Sequence, residues 1–306
     1  MHQHTLTTDS ETANGLLLIK TAIPGLNQQF YIFLHPVEID NFAMAELLSI
    51  RINHPALTSR IVQEYSQGGL CGPEVSGKRL AYDIGGNIGY MSLLLASLGA
   101  DVVGIEPTAF HGSLFQASTA LNPHLSKNIQ IVRAALTDRF SSLNEEVCME
   151  LPDKKNAGFT RVSVGDICPD AMRAPLQTLD LLFAKYGSHP CAIKVDVEGF
   201  ELKALMGGVK TLERNPPNFV VLEYNGYTSA DSPADLARRT IDFFFKTMNV
   251  TYYMEDISLP GTVFKTKEDC LHYLSPEKPP YGDELAKWNT DLIFFRSSPL
   301  ASFPTT

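Results

Sequence analysis

Several patterns that would place this chain of 306 residues in a familiar class of protein are missing from its sequence. The five cysteines show no C-x-x-C spacing and no even-numbered framework, which predicts reduced thiols in an intracellular compartment. No run approaches the roughly 18 consecutive apolar residues of a membrane helix, so no membrane span is expected. Lysine and arginine never cluster beyond a pair, and a formal net charge of −9 disfavours nucleic acid as a partner.

The amino-terminal region also lacks the order of a signal peptide, because residues 1–14 are polar and contain no basic segment followed by an apolar one. Together with the expected thiols, this absence predicts a cytoplasmic protein. We expect residues 1–14 to be a flexible tail, followed by a pair of strands and two helices that pack on the rest of the chain. The predicted segments are strands 16–23 and 29–34, helices 37–51 and 57–67, and a linker at 68–77.

Strands and helices alternate after this N-terminal cap (1–77), which predicts a main domain over 78–306. The alternation is typical of an α/β fold of three layers, with helices on both faces of a mostly parallel sheet. We expect the last two strands to form an antiparallel pair at the sheet edge. The segment 139–178 has little regular pattern, so we expect it to be functional or mobile. The predicted strands are 80–83, 101–106, 129–135, 192–196, 219–224, 251–254 and 292–296, and the predicted helices are 90–98, 110–120, 199–214 and 233–248.

The most informative segment is the glycine turn Asp83-Ile-Gly85-Gly-Asn87-Ile-Gly89, between a strand and an apolar helix. Such a turn brings backbone close to a ligand and directs a helix N-terminus at it. A dinucleotide-binding turn requires Gly-x-Gly-x-x-Gly, whereas here Asn87 and Tyr90 occupy the second and third glycine positions. Asp83 would repel a pyrophosphate but suits an ammonium or a sulfonium, and S-adenosylmethionine (AdoMet) carries both. We therefore predict that Asp83, Gly85, Asn87 and Gly89 bind AdoMet.

A second acidic side chain, Glu106, ends the next predicted strand, 23 residues after Asp83. In open α/β sheets ligands bind outside the carboxyl ends of the strands, where Glu106 can accept hydrogen bonds from both ribose hydroxyls. Capping of the following helix is its alternative role. Asp138, just beyond the strand at 129–135, is predicted to reach the adenine, and a role in a turn is equally open for it.

A second cluster of charges lies on one predicted strand, where Lys194, Asp196 and Glu198 follow one another at every second position. An extended chain places all three on one face, and their burial in a central strand requires partners or a ligand. The functional interpretation is a catalytic group beside the glycine turn. In the alternative, Lys194 pairs with Asp196 and Glu198 caps the next helix. Oxygen atoms of Asp196, Glu198 and Glu223 can also hold Mg²⁺, but no metal site is predicted.

These segments together resemble the FkbM family of AdoMet-dependent methyltransferases. The resemblance implies a Rossmann-like class I methyltransferase fold with a seven-stranded, mostly parallel sheet and an antiparallel last strand. It also implies AdoMet as the methyl donor and O-methylation of sugars or other small hydroxylated metabolites. The matching segments are Asp83-Ile-Gly-Gly-Asn-Ile-Gly89-Tyr, Ile105-Glu-Pro107, Thr178-Leu-Asp-Leu-Leu182, Ile193-Lys-Val-Asp-Val-Glu-Gly-Phe-Glu201-Leu and Phe219-Val-Val-Leu-Glu223.

The leading functional hypothesis is therefore an O-methyltransferase that acts on a small molecule with a hydroxyl group. An alcohol is a poor nucleophile until its proton is removed, which requires a general base or a metal. Asp196 is the predicted base, and Lys194 or Glu198 sets its pKa or orients the acceptor. A nicotinamide-dependent oxidoreductase and a non-catalytic module that retains the fold are the alternatives. The sequence does not identify the acceptor or the oligomeric state.

Overall fold

The computed structural model describes residues 10–13, 16–21, 23–26, 29–34, 54–66, 71, 79–139, 145–150, 161–162, 168–225, 232–248, 250–259, 261–274 and 289–296. The helix predicted at 37–51 and most of the linker at 68–77 lie outside these ranges. Numbered along the chain, the strands are β1 (Ser10–Ala13), β2 (Leu16–Lys20), β3 (Tyr31–Leu34), β4 (Leu80–Ile84), β5 (Asp101–Ile105), β6 (Ile129–Val132), β7 (Ala135–Leu136), β8 (Glu146–Glu150), β9 (Arg161–Val162), β10 (Arg173–Gln177), β11 (Ala192–Val195), β12 (Phe219–Asn225), β13 (Tyr252–Asp256), β14 (Val263–Phe264) and β15 (Asn289–Arg296).

The helices of the described residues are mostly short, and two predicted helices are interrupted. The helix expected over 199–214 is two helices, α6 and α7, and the one expected over 233–248 is α8 followed by a π-helical turn at Phe243–Thr247. The α-helices are α1 (Pro55–Ser66), α2 (Tyr90–Ser97), α3 (Ala109–Ala120), α4 (Pro123–Ser126), α5 (Leu179–Tyr186), α6 (Glu201–Met206), α7 (Val209–Arg214), α8 (Pro233–Asp242) and α9 (Lys267–Tyr273).

The break between α6 and α7 has a steric cause at Gly207. A Cβ atom at this position would lie 2.1 Å from the carbonyl oxygen of Thr137, so the chain packs there too closely for a side chain. Gly208 follows directly and is the N-cap of α7. The sequence pattern predicted one helix because the apolar spacing continues through the pair of glycines.

The central sheet has eight strands in the order β14-β13-β15-β12-β11-β4-β5-β6. The prediction of seven strands omitted the short edge strand β14. β4, β5, β6, β11 and β12 run parallel, and β15 runs antiparallel to both of its neighbours, β12 and β13. The predicted antiparallel last strand and its antiparallel pairing with β13 are therefore confirmed, and β14 lies beyond this pair at the sheet edge. The carboxyl ends of the parallel strands meet along one edge of the sheet, called here the carboxyl edge.

Alternate side chains of the strands enter two different apolar cores, one on each face of the sheet. Ala192 packs into the core with α1 and α2, whereas its neighbour Ile193 packs into the core with α5, α6, α7 and α8. β4 divides in the same way between Ala81 and Tyr82. Side chains that alternate along a strand point to opposite faces, so this pattern produces the three-layer α/β fold that was predicted.

A second sheet of four strands, in the order β7-β10-β8-β9, corrects two expectations. The segment 139–178, expected to have little regular structure, supplies β8, β9 and β10. The strand predicted at 129–135 ends at Val132, and Ala135 begins β7, which pairs with β10 and not with the central sheet. Apolar residues lie on both sides of Arg133 between Ile129 and Leu136, so the sequence pattern alone did not show the break.

The cap residues that the structure describes contact the main domain through specific polar bonds. The β3 backbone at Tyr31 exchanges two hydrogen bonds with the Asn122 side chain, at 2.8 and 2.7 Å. Arg60 on α1 donates to Glu255 at the end of β13, at 2.9 Å. Ser10–Ala13, expected in the flexible tail, form β1 and pair with β2. No helix in the described ranges is long and apolar enough to cross a membrane.

Four of the five cysteines are paired, which corrects the prediction of reduced thiols. Cys71 of the cap is bonded to Cys191, which directly precedes β11, and the Cα atoms are 4.7 Å apart. Cys148 is bonded to Cys168, with Cα atoms 5.7 Å apart, and ties β8 to the segment before β10. Cys270 is a buried free thiol. The spacing gave no sign of these pairs because the first joins residues 120 positions apart. The cytoplasmic prediction loses the thiol argument on which it rested.

Candidate functional site

The glycine turn packs directly against the end of β11. The backbone amides of Gly85 and Gly86 both donate to the carbonyl of Ile105, at 2.9 Å each, which folds the chain back at the carboxyl edge. Gly85 has a φ of 83°, and a Cβ atom there would lie 1.7 Å from the carbonyl oxygen of Asp196. Only glycine fits this approach, so the two predicted site segments touch through their backbones.

Gly89 serves a different close approach, at the start of α2. Its φ is 93°, and a Cβ atom there would lie 2.2 Å from the ring of Phe115, which is fully buried on α3. The N-terminus of α2 is therefore seated on an aromatic ring, as expected of a glycine that lets a helix approach its neighbour. Between the two glycines, Asn87 has a φ of 47°, and its side-chain oxygen is buried without a hydrogen-bond partner in the described part of the chain.

Asp83 is fully buried beneath the turn and faces the interior. Its Oδ2 accepts a hydrogen bond from the Ser92 hydroxyl at 2.6 Å, and its Oδ1 lies 4.0 Å from the ammonium of Lys194. Burial raises the pKa of Asp83, and the charge of Lys194 and the bond from Ser92 oppose the rise. Asp83 thus anchors Lys194 from below, an arrangement that the sequence did not indicate.

Glu106 lies at the end of β5 and binds the glycine turn. Its Oε2 accepts from the backbone amide of Asn87 at 2.9 Å, and its Oε1 accepts from the amide and hydroxyl of Thr108 at 2.9 and 2.8 Å. Burial alone would raise the pKa of Glu106, but the bonds from His111 and Thr108 lower it. The helix-capping alternative belongs instead to Thr108, whose hydroxyl accepts from the amide of His111 at the start of α3.

Lys194 and Asp196 form an ion pair at the carboxyl edge, with 2.9 Å between Nζ and Oδ2. The Lys194 side chain is only 12% exposed, whereas that of Asp196 is 29% exposed and can meet a ligand. Burial favours a high pKa for Asp196, but the charge and hydrogen bond of Lys194 lower it. Burial would lower the pKa of Lys194, and the two aspartates raise it. The pair is thus ionised at neutral pH.

Further carboxyl groups surround Asp196, and their pKa values are raised above the usual range of such groups. Burial, followed by the charge of Asp196, raises the pKa of Glu198 to about 8 and that of Glu223 well above its usual range. Burial also raises the pKa of Asp291 to about 6. One oxygen each from Asp196, Glu198 and Glu223 lies within 4.8 Å of the others. The predicted trio of oxygen atoms is therefore close enough to hold a cation, although carboxyl groups cluster in this way without one.

The glycine turn, Glu106 and the Lys194–Glu198 segment meet at the carboxyl edge. Asp138 is exposed beyond β7 and accepts a bond from the Thr137 hydroxyl at 3.3 Å. Its contact with the adenine and its role in a turn both stay predictions.

Four residues at the carboxyl edge were not assigned a role from the sequence. Ser92 donates to Asp83, and Thr108 donates to Glu106. Asp291 on β15 lies opposite Glu223 on β12, and Glu201 binds the turn after Asp196. Only Glu201 carried a sequence signal, since it lies in the same charged segment as Lys194.

The donor and acceptor set of this edge fits AdoMet. Acidic side chains suit a ligand with two positive groups. The glycine turn adds the side-chain oxygen of Asn87, which has no hydrogen-bond partner among the described residues and can accept a bond from a ligand. Glu106 remains ionised and, as a carboxylate with several lone pairs, can accept further bonds from ribose hydroxyls. The Rossmann-like sheet and this edge have the architecture of a class I AdoMet-dependent methyltransferase.

The sequence profile of the Methyltransferase FkbM domain matches residues 83–247, more than half of the chain. The chain therefore belongs to the FkbM methyltransferase family, and its cofactor is AdoMet. The matched region contains every predicted site residue. This membership decides against the oxidoreductase alternative. No curated protein sequence matches the chain.

Solved structures similar to this chain are methyltransferases at low identity. An FkbM methyltransferase from Methylobacillus flagellatus KT is 16% identical, with a TM-score of 0.44 over 71% of this chain and 44% of that one. A SAM-dependent methyltransferase from Agrobacterium tumefaciens is 13% identical, with a TM-score of 0.43 over 94% and 71%. A Pyrococcus abyssi tRNA (uracil-54, C5)-methyltransferase in complex with S-adenosyl-L-homocysteine is 13% identical, with a TM-score of 0.37 over 92% and 44%. This chain spans less than half the length of the first and third proteins, and such TM-scores carry no argument about the acceptor.

Proposed function

We propose that this protein is an O-methyltransferase that transfers the methyl group of AdoMet to a hydroxyl of a sugar or another small metabolite. The observation that supports the proposal is Asp196, a carboxylate kept ionised by Lys194 and 29% exposed beside the glycine turn. A hydroxyl acceptor requires a base at this place, whereas an amine acceptor that reacts as the free base does not. The negative charge of Asp196 also disfavours a phosphodiester acceptor.

In this proposal AdoMet supplies an electrophilic methyl group, held by the glycine turn, Asn87 and Glu106. Asp196 accepts the proton of the acceptor hydroxyl while the oxygen attacks. Lys194, anchored by Asp83, keeps the Asp196 carboxylate ionised and oriented. Glu198 and Glu223, whose pKa values are raised, donate hydrogen bonds to the other hydroxyls of the acceptor.

The cap also contributes to the acceptor pocket in this proposal. His54, just before α1, lowers the pKa of both Asp196 and Asp291, so the start of α1 lies near the carboxyl edge. The part of the segment 139–178 that contains β8 and β10 completes the pocket. The cap lies outside the matched family region, residues 83–247, and we assign acceptor specificity to the cap and to this segment.

Replacement of Asp196 by asparagine tests the proposal. Asp196→Asn keeps the shape of the side chain but removes its basicity, so kcat should fall by roughly 10²–10⁴-fold while AdoMet affinity changes little. Transfer from deuterated AdoMet into extract metabolites, RNA and protein identifies the acceptor, and calorimetry measures AdoMet binding. Asp235→Asn on the exposed face of α8 is the matched control.

Three results would contradict the assignment. Retention of most activity in Asp196→Asn without metal dependence would show that another group takes the proton. Inhibition by EDTA that Mg²⁺ reverses, together with an equal loss of activity in Asp196→Asn and Glu198→Gln, would assign the carboxyl cluster to a metal. Label found in RNA or protein alone would replace the acceptor class.

A further inference from the structure

The turn that follows Asp196 has an unusual backbone. Glu198 has a φ of 55° and Gly199 a φ of 96°, so two successive residues adopt the left-handed region. A residue with a side chain rarely adopts this conformation, and it persists only where its surroundings hold it. The turn carries Asp196 at its start and Glu198 at its centre, and both carboxyl groups belong to the proposed acceptor site.

A single carboxylate oxygen holds this turn from the far side. Oε1 of Glu201 accepts hydrogen bonds from the backbone amides of Val197, at 3.0 Å, and Gly199, at 2.9 Å, which flank Glu198. Glu201 is the first residue of α6 and is only 6% exposed. The buried Glu201 side chain therefore holds the backbone of the turn on both sides of Glu198.

The near side of the same turn is held by β4. The Asp196 amide donates to the carbonyl of Ile84 at 3.0 Å, and the Asp196 carbonyl lies against Gly85 with no room for a Cβ atom. Asp196 is therefore fixed at its backbone by the glycine turn, while the chain that follows depends on Glu201. Loss of the bonds to Glu201 would release one side of the turn and not the other.

We propose that Glu201 is a positioning residue for methyl transfer, whose carboxylate oxygen fixes the Asp196–Gly199 turn and so orients Asp196 and Glu198 toward the acceptor. This inference rests on the proposed function, because the orientation matters only if Asp196 activates the acceptor. Glu201 touches neither the acceptor nor AdoMet in this role. It acts through the two backbone amides that it binds.

The charge of Glu201 is a separate effect that the test must exclude. Glu201 faces three other carboxyl groups, Asp196, Glu198 and Glu223, and its negative charge raises the pKa of the two glutamates. Glutamine at this position keeps an oxygen at the same reach and removes the charge. Aspartate keeps the charge but is one methylene shorter, so its oxygen cannot reach both amides.

The experiment compares Glu201→Gln, Glu201→Asp and Glu201→Ala in the full chain. We expect Glu201→Ala and Glu201→Asp to lower kcat by about 100-fold, the effect of misplacing a catalytic group by about 1 Å, with little change in AdoMet affinity. Glu201→Gln should restore most of kcat. Thermal melts verify that each variant is folded at the assay temperature. Full kcat in folded Glu201→Ala, or activity in Glu201→Asp but not in Glu201→Gln, would overturn the proposal.

Hydrogen exchange supplies a readout that needs no acceptor. The Val197 and Gly199 amides should be protected in the wild-type chain and in Glu201→Gln, and should exchange faster in Glu201→Ala. Equal exchange in all three chains would overturn the proposal even if methyl transfer is observed. The expected exchange pattern, without methyl transfer by the wild-type chain to any hydroxyl, would instead overturn the proposed function and with it the positioning role.

Discussion

At the scale of a single residue, Glu106 links the end of β5, the glycine turn and the start of α3 at the carboxyl edge. Its carboxylate accepts from the amide of Asn87 in the glycine turn and from Thr108 at the start of α3. A ligand-binding residue that is also the acceptor for two buried amides has a double role, because its removal leaves those amides without partners. The structure thus adds a structural role to the ribose-binding role predicted from the sequence.

Glu106→Ala should therefore weaken AdoMet binding and also destabilise the fold. Loss of hydrogen bonds to a charged group costs roughly 1.5–3 kcal/mol, which corresponds to about tenfold to a hundredfold in affinity. Calorimetry measures AdoMet binding, and a thermal melt measures stability. Glu106→Gln, which keeps one acceptor oxygen, should recover part of the stability but not the affinity. Unchanged affinity in both variants would leave Glu106 with the structural role only.

At the scale of elements, the contact between the β4 turn and the end of β11 joins the cofactor side to the acceptor side. Gly85 makes this contact possible, since its Cβ position is occupied by the carbonyl oxygen of Asp196. The sequence predicted that Gly85 binds AdoMet. The structure shows that its closest neighbour is protein backbone, so a larger residue there disturbs both segments at once.

Gly85→Ala should separate the two segments, and we expect a lower melting temperature together with weaker AdoMet binding. The reason is a Cβ atom at 1.7 Å from a backbone oxygen and a φ of 83°, which a residue with a side chain rarely adopts. Gly112→Ala in α3 is the matched control, because a Cβ atom there meets no atom within 4 Å. That control should be neutral or stabilising by about 0.4–1 kcal/mol. Normal AdoMet binding by Gly85→Ala would show that the contact is not needed for the site.

At the scale of the whole molecule, the carboxyl edge makes stability depend on pH. Burial raises the pKa of Glu198 to about 8, of Glu201 to about 7 and of Asp291 to about 6. Unfolded carboxyl groups have pKa values near 4. Between these values the folded chain binds more protons than the unfolded chain, so the free energy of unfolding falls as the pH rises. Asp196 and Glu106, whose pKa values are lowered, act in the opposite sense only at more acidic pH.

We expect the melting temperature of the ligand-free protein to fall as the pH is raised from about 5 to about 8, the window set by these pKa values. Glu198→Gln removes one titrating group from the edge and should make the slope shallower. Glu213→Gln, at an exposed position on α7, should leave the slope unchanged. Thermal melts across this pH range measure both slopes. A melting temperature that rises over the same range would show that these carboxyl groups ionise without a penalty from burial.

The sequence by itself determined the alternation of strands and helices, the positions of the glycine turn and of Lys194, Asp196 and Glu198, and the antiparallel last strand. These features are carried by local periodicity and spacing, which a single segment contains completely. The family resemblance rested on the same segments, and the profile match over residues 83–247 confirms it. The assignment of individual residues to AdoMet or to catalysis stays a prediction.

Only the tertiary structure decided which distant groups meet. In the structure Cys71 is bonded to Cys191, and Asp83 faces inward, toward Lys194. Glu106 accepts hydrogen bonds from the amides of Asn87 and Thr108. Glu201 binds the turn after Asp196. The structure also ended β6 at Val132, although apolar residues follow again after Arg133. The bonds of Glu106 to Thr108 and of Glu201 to Val197 join near neighbours and depend on the local path of the backbone. The disulfide, the Asp83–Lys194 contact and the Glu106–Asn87 bond depend on the approach of segments that are far apart in the chain. Spacing along the sequence does not encode that approach, because it is set by how both faces of the sheet are covered.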